Sequence, residues 1–179
     1  MAILPIHILG SDVLREQAAP VTAFDDELRT LVASMFETMD VALGVGLAAN
    51  QVGVARRVAV IDAEGQRFAM VNPVLVERST AKSAAEEGCL SIPDAFGEVS
   101  RPDAVTLEAQ DERGEPFRLE LTGLAARAVQ HEIDHLEGIL FIDYLSPLKR
   151  QLMMRRWRRE HADDGLTWTP SPEESETAS

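Results

Sequence analysis

The stretch from Leu124 to Glu137 contains no proline or glycine. It is bracketed by Thr122, a fair N-cap, and Gly138, suited to the C′ position, so it predicts one unbroken helix. At roughly 100° per residue its side chains sort into three stripes. Arg127, Gln130, Asp134 and Glu137 form a polar stripe; Ala125, Val129, Ile133 and Leu136 form an apolar one. Between them lie Leu124, Ala128, His131, His135 and then Glu132, the last on the far side from the other charges. Residues four apart share a face, about 6 Å apart along the axis, so His131 and His135 can present two imidazoles to one cation. Glu132 follows the first histidine directly, where its carboxylate can reach a water held by that cation. His-Glu-x-x-His is the pattern this geometry produces in metal-dependent hydrolases. The alternative is a surface helix with two incidental histidines; the position of Glu132 away from the solvated stripe speaks against it.

Two histidines need a third protein ligand. Downstream only His161 remains, in what reads as a solvated tail. Upstream, Glu86-Glu87-Gly88-Cys89-Leu90-Ser91-Ile92-Pro93 holds the chain's one cysteine. A lone cysteine is by default a small buried hydrophobe. Here Gly88 permits close approach to the backbone, two glutamates precede it, and a thiolate is a strong ligand for zinc or ferrous iron.

The chain of 179 residues reads as one domain with a real core. Net charge of −13 argues against general nucleic-acid affinity, specific DNA binding included, although that charge is unevenly spread. No apolar run is long enough to cross a bilayer, and Met1 to His7 lacks the basic start and cleavage site of a signal peptide. A single cysteine forms no internal disulfide and fits a reducing, cytoplasmic setting.

Residues 1–23 read as an extended arm with a short helical turn over Asp12 to Gln17, His7 being structural. Leu28, Leu31, Val32, Met35 and Met39 mark an amphipathic helix from Phe24 to Leu43, ended by Gly44. In Gly44-Val45-Gly46-Leu47-Ala48-Ala49-Asn50-Gln51, two glycines and small residues let a backbone come close to something else, and an amide closes the run. It lacks the third glycine and preceding strand of a dinucleotide site; a packing turn is the other reading. Arg57 to Asp62, Phe68 to Val76, Ala104 to Gln110 and Phe117 to Leu121 read as strands, the last two joined by a hairpin turn at Asp111 to Gly114. The fold class expected is α+β: mostly antiparallel sheets packed around the central metal-binding helix, with a C-terminal helix.

Taken together, residues 44–51, Glu-Gly-Cys-Leu-Ser at 87–91 and Gln-His-Glu-Ile-Asp-His at 130–135 resemble the three signature motifs of peptide deformylases of bacterial type, in that family's order and at comparable spacing. The resemblance runs from about Ile6 to about Arg159. It implies hydrolysis of the N-formyl group from the formylmethionine of new chains, releasing formate. It also implies one divalent metal on Cys89, His131 and His135: ferrous iron natively, with zinc, nickel or cobalt expected in purified protein. Glu132 would be the general base turned acid, and the Gln51 amide and Leu90 backbone N–H would donate to the developing oxyanion. Gly46 and Gly88 would admit an extended substrate backbone, and Val45, Leu124 and Ala128 are candidates for the methionine pocket. Asp134, seven residues from Arg127, reads as a structural pair or solvated charge, with a supporting contact to the site as the alternative. Arg101 resembles a family arginine near the substrate and reads equally as a surface arginine. Trp157 and Trp168 read as packing.

Ser146-Pro147 opens a last helix over about 146–160, with Leu148, Leu152, Met153 and Trp157 as its apolar face. From Lys149 to Glu160 six basic residues stand against one acidic, net +5 within the total of −13. Such a helix on an acidic protein is either an RNA-contacting patch, as the resemblance implies for docking near the ribosomal exit tunnel, or a solvated face. The catalytic domain expected is 1–162, with 163–179 a disordered acidic tail. Two other readings of the residues stand beside the metal hydrolase: a thiol enzyme with Cys89 as nucleophile and a histidine base, and a binding module with a vestigial site.

Overall fold

The computed structural model describes residues 1–173. In chain order it runs β1 (Ile6–His7), α1 (Asp26–Val41), β2 (Gly46–Ala48), β3 (Val58–Ala63), β4 (Gln66–Arg78), β5 (Lys82–Cys89) and β6 (Ile92–Pro102). There follow β7 (Ala104–Gln110), β8 (Pro116–Thr122), α2 (Gly123–Leu136), α3 (Pro147–Glu160) and β9 (Thr167–Trp168). The class is α+β. Five strands form an antiparallel sheet in the order β2-β3-β4-β7-β8, and β5-β6 and β1-β9 are separate antiparallel pairs.

Period-two alternation in β3 explains the layering. Ala59, Ile61 and Ala63 join Ala125, Ala126, Ala128 and Val129 of α2 in one core cluster. Val58 and Val60 join Leu28, Val32, Met35 and Met39 of α1 in another. The sheet is therefore covered on both faces, and the small residues of α2 bring that helix close. A third cluster, including Ile92, Val99, Phe141 and Trp157, fastens β6 and α3 to the rest.

Asp25 caps α1 by accepting from the Leu28 amide at 3.0 Å. The helix stops at Val41, earlier than the expected Leu43, because Leu43 itself turns left-handed with φ 58°. Gly44 is needed for space instead: a Cβ there would stand 2.9 Å from the Leu90 side chain. The N-terminus of α2 also differs from expectation. Among the described residues Thr122 makes no side-chain capping bond; the Leu124 amide donates to Glu64 Oε1 at 3.1 Å. At the other end Gly138 takes the expected left-handed turn, φ 75°.

Residues 82–102 had shown no strand pattern, yet they form the β5-β6 hairpin, paired from Lys82↔Pro102 to Gly88↔Phe96. β5 reads Lys-Ser-Ala-Ala-Glu-Glu-Gly-Cys and is mostly exposed, so alternating apolar residues are missing. Two further corrections concern the C-terminal region. On α3, Met153, Met154 and Trp157 pack inward, but Leu148 and Leu152 are 65% and 56% exposed. Of the tail expected to be disordered from 163, Thr167–Trp168 pairs with β1, and the Ile8 amide donates to Leu166 O at 2.9 Å. That partner lies at the opposite end of the chain, beyond any local pattern. Residues 174–179 of the tail lie outside the described residues. Among the described residues no helix is long and apolar enough to cross a membrane.

Candidate metal centre and substrate cleft

The end of β5 meets α2 so that Cys89, His131 and His135 converge, their donor atoms all within 4.8 Å of one another. Cys89 Sγ lies 3.3 Å from His135 Nε2, and the two imidazole centroids are 5.0 Å apart. Ligands about 2.0–2.3 Å from one tetrahedral ion stand roughly 3.5 Å from each other, so one sulfur and two nitrogens in this arrangement fit a divalent transition metal. A bulge between Gly88 and Cys89 delivers the sulfur out of the hairpin's regular register.

Glu87 organises the surroundings. Its buried carboxylate accepts from His131 Nδ1 at 2.9 Å, from Arg101 Nε and Nη2 at 2.6 and 2.9 Å, and from Arg127 Nη1 at 2.6 Å. Burial alone would raise its pKa, but the bonds from His131 and Arg101 bring it down to about 2. With Nδ1 engaged, His131 keeps Nε2 as its free donor, the carboxylate–histidine arrangement of metal sites. Burial works against a charge on His131, yet Cys89, Glu87 and Glu132 outweigh it and hold the imidazole well above its ordinary range. Burial drives His135 well below its ordinary value, with His131 and Arg101 adding to the effect, which favours a neutral, ligating imidazole.

Arg101 is 4% exposed, so it is not a surface arginine. Its Nη1 donates to Asp134 at 2.9 Å, and Asp134 also accepts from the Tyr144 hydroxyl at 2.8 Å. The partner of Asp134 is thus Arg101 rather than Arg127. Of the two readings of Arg101, the structure favours the one near the site, though its contacts are to Glu87 and Asp134; Glu87 and Tyr144 carry no such role in the sequence reading. The one sequence signal was the closeness of Glu87 to Cys89 in the Glu-Gly-Cys motif, two positions apart.

Glu132 is 4% exposed. Gly46 makes room for it, since a Cβ there would stand 2.8 Å from Glu132 Oε1. Among the described residues Glu132 Oε2 has no hydrogen-bond partner. Burial pushes its pKa up to about 7, opposed by His131 and Arg101, so it can exchange a proton near neutrality. Gln51 Oε1 accepts from the Ala48 amide at 2.9 Å, which turns Nε2 toward Ser91 Oγ at 3.1 Å and Cys89 Sγ at 3.5 Å.

These groups open into a cleft of about 490 Å³. Val45, Gly46, Gln51, Gly88, Cys89, Leu90, Leu124, Ala128, His131 and Glu132 all line it; His135 lies behind, 1% exposed. Val45 and Leu124 leave 42% and 44% of their surface exposed at its rim. Among the described residues β2 is an edge strand and β5 pairs with β6 alone, so both can offer an unpaired backbone edge to an extended peptide. Gly88 has a second role, because a Cβ there would stand 2.7 Å from the Phe96 ring.

Residues 3–151 match the model of the family described as polypeptide deformylase. A peptide deformylase of Rhizobium meliloti is 47% identical over 164 residues, covering 89% of this chain and 94% of the relative. The crystal structure of a peptide deformylase from Legionella pneumophila superposes with a TM-score of 0.85 at 45% identity, covering 92% of this chain and all of that one. The peptide deformylase of Ehrlichia chaffeensis in complex with actinonin gives a TM-score of 0.86 at 36% identity, covering 89% and 98%.

Proposed function

Given that the chain belongs to the polypeptide deformylase family, we propose that it removes the formyl group from the N-terminal formylmethionine of newly made proteins through the residues gathered around Cys89. The observation that carries this reading is the convergence of one thiol and two imidazoles beside a buried, partner-poor Glu132. Cys89, His131 and His135 hold a divalent metal, ferrous iron being the native ion proposed, with zinc, nickel or cobalt able to stand in. That metal supplies Lewis acidity, lowering the pKa of a water toward neutrality. Glu132, as the carboxylate, takes the proton of the water that attacks the formyl carbon, and returns it to the departing amine nitrogen. Gln51 Nε2 and the Leu90 N–H donate to the carbonyl oxygen as negative charge develops there. Val45, Leu124 and Ala128 take the methionine side chain, while Gly46 and Gly88 leave the backbone edges open. Arg101 and Asp134 act through Glu87 and so hold His131 rather than the substrate.

The test pairs metal analysis of anaerobically purified protein with formate release from a formylmethionyl peptide. Activity lost on chelation and restored by ferrous, nickel or cobalt ion is expected. The 3.3 Å separation of Cys89 Sγ and His135 Nε2 also suits a thiol nucleophile and its base; full activity in the presence of chelator would favour that reading.

The site of action proposed is the cytoplasm, at the ribosome. α3 exposes Lys149, Arg155, Arg156, Arg158 and Arg159 on an otherwise acidic protein, the charge pattern of a surface that meets phosphate backbones. Ribosome pelleting at two salt concentrations should retain the full chain and lose a variant with these five residues changed to glutamine, and equal retention would end the idea.

A further inference from the structure

We propose that Trp168 positions Leu90 and walls the substrate cleft, which makes the C-terminal strand part of the catalytic unit; this rests on Leu90 being an oxyanion donor. The turn that follows Cys89 is held from both chain ends. Its carbonyls are taken one by one: Leu90 O by Trp168 Nε1 at 2.9 Å, Ser91 O by the Leu9 amide at 2.9 Å, and Pro93 O by Trp157 Nε1 at 2.8 Å. β1 and β9 tie these holds together through the pair Ile6↔Trp168.

Leu90 is restrained at three points. Its side chain lies where a Cβ on Gly44 would stand 2.9 Å away, its carbonyl is bonded to the indole, and the residue before it is Cys89. The Leu90 N–H lies in the peptide unit between Cys89 and the Leu90 Cα; with Cys89 fixed on one side and the Leu90 carbonyl and side chain held on the other, that unit is restrained from both sides before substrate arrives. Catalysis depends on such donors being in place without reorganisation. Trp168 is half-buried and lines the cleft along with Leu90; with its N–H given to Leu90 O, the apolar body of the indole is the part left to wall a bound peptide.

The experiment compares full-length wild type, Trp168→Phe and Trp168→Ala, loaded with the same metal, on formyl-Met-Ala-Ser. Folded fraction and metal content are measured alongside. Trp168→Phe keeps the ring and loses the N–H, so kcat should fall about three- to tenfold at unchanged KM. Trp168→Ala should show the same loss and a KM raised about fivefold, because the wall has gone. Independently, adding the product Met-Ala-Ser should change tryptophan fluorescence in wild type and leave Trp168→Phe unaffected. Wild-type kcat and KM in both variants would overturn the proposal, as would rate losses that merely track unfolding or lost metal. A fluorescence response persisting in Trp168→Phe would do the same. If metal-loaded wild type releases no formate, the functional reading has failed, and the fluorescence arm still decides whether Trp168 meets the ligand.

Discussion

Burial gives Glu132 an affinity for protons that a surface glutamate lacks, and this has two consequences. As a base it must be ionised, so activity should rise with pH and be lost as the pH falls; a nearby divalent charge moves that limb below the value of about 7 set by burial. Glu132→Gln should abolish turnover while the protein still binds metal, and a variant that bound metal and worked at the wild-type rate would defeat the mechanism. In chelated protein the folded-state pKa lies above the unfolded one, so the folded state takes up a proton and stability falls as pH rises from about 4.5 to 7. Chelated Glu132→Gln should therefore gain on chelated wild type across that window, by about 1–3 kcal/mol, in urea melts at pH 4.5 and pH 8. Gln51→Ala removes one of the two proposed oxyanion donors and should lower kcat by about 10²–10³ with little change in KM. Glu87→Gln leaves Arg127 without a carboxylate partner and Arg101 with Asp134 alone, and replaces the charged hold on the His131 ring by a neutral one; metal affinity should drop about 10–100-fold in a competition titration, with a lower melting temperature.

At the level of elements, the site is made by two pieces with different guarantees. α2 carries its own instructions: an apolar stripe, no breaker, a glycine stop. The absent piece was its cap, because Glu64 arrives from the β3-β4 turn, and Glu64→Ala should cost about 0.5–1 kcal/mol in thermal unfolding. β5 carries almost no instructions, and its geometry is imposed by pairing with β6. Close approach between elements also sets limits on sequence. Gly46→Ala would press a methyl group to 2.8 Å from Glu132 Oε1, so we expect kcat to fall at least tenfold while far-ultraviolet circular dichroism stays unchanged.

Across the whole molecule, the proposed metal ligands Cys89, His131 and His135 join the hairpin to the helix that packs under the central sheet, so ion binding there would be linked to folding. Chelation should lower the melting temperature and re-addition should restore it, by an amount that grows with the logarithm of free metal.

The sequence by itself determined the α2 helix, its two imidazoles four apart with Glu132 between, and the amphipathic α1. Each follows from spacing along one segment, and the physics of a single helix is enough to read it. Four strands were likewise legible as short apolar, β-branched segments bounded by turn residues. The tertiary structure alone decided the rest: that Cys89 reaches the histidines, that Glu87 and Arg101 form a buried ion network behind His131, and that Trp168 returns to the cleft. Those contacts join residues 14 to 78 positions apart, between segments whose own patterns are polar or short. Only the closing of the chain on itself supplies the low dielectric and the fixed distances that give such residues their chemistry.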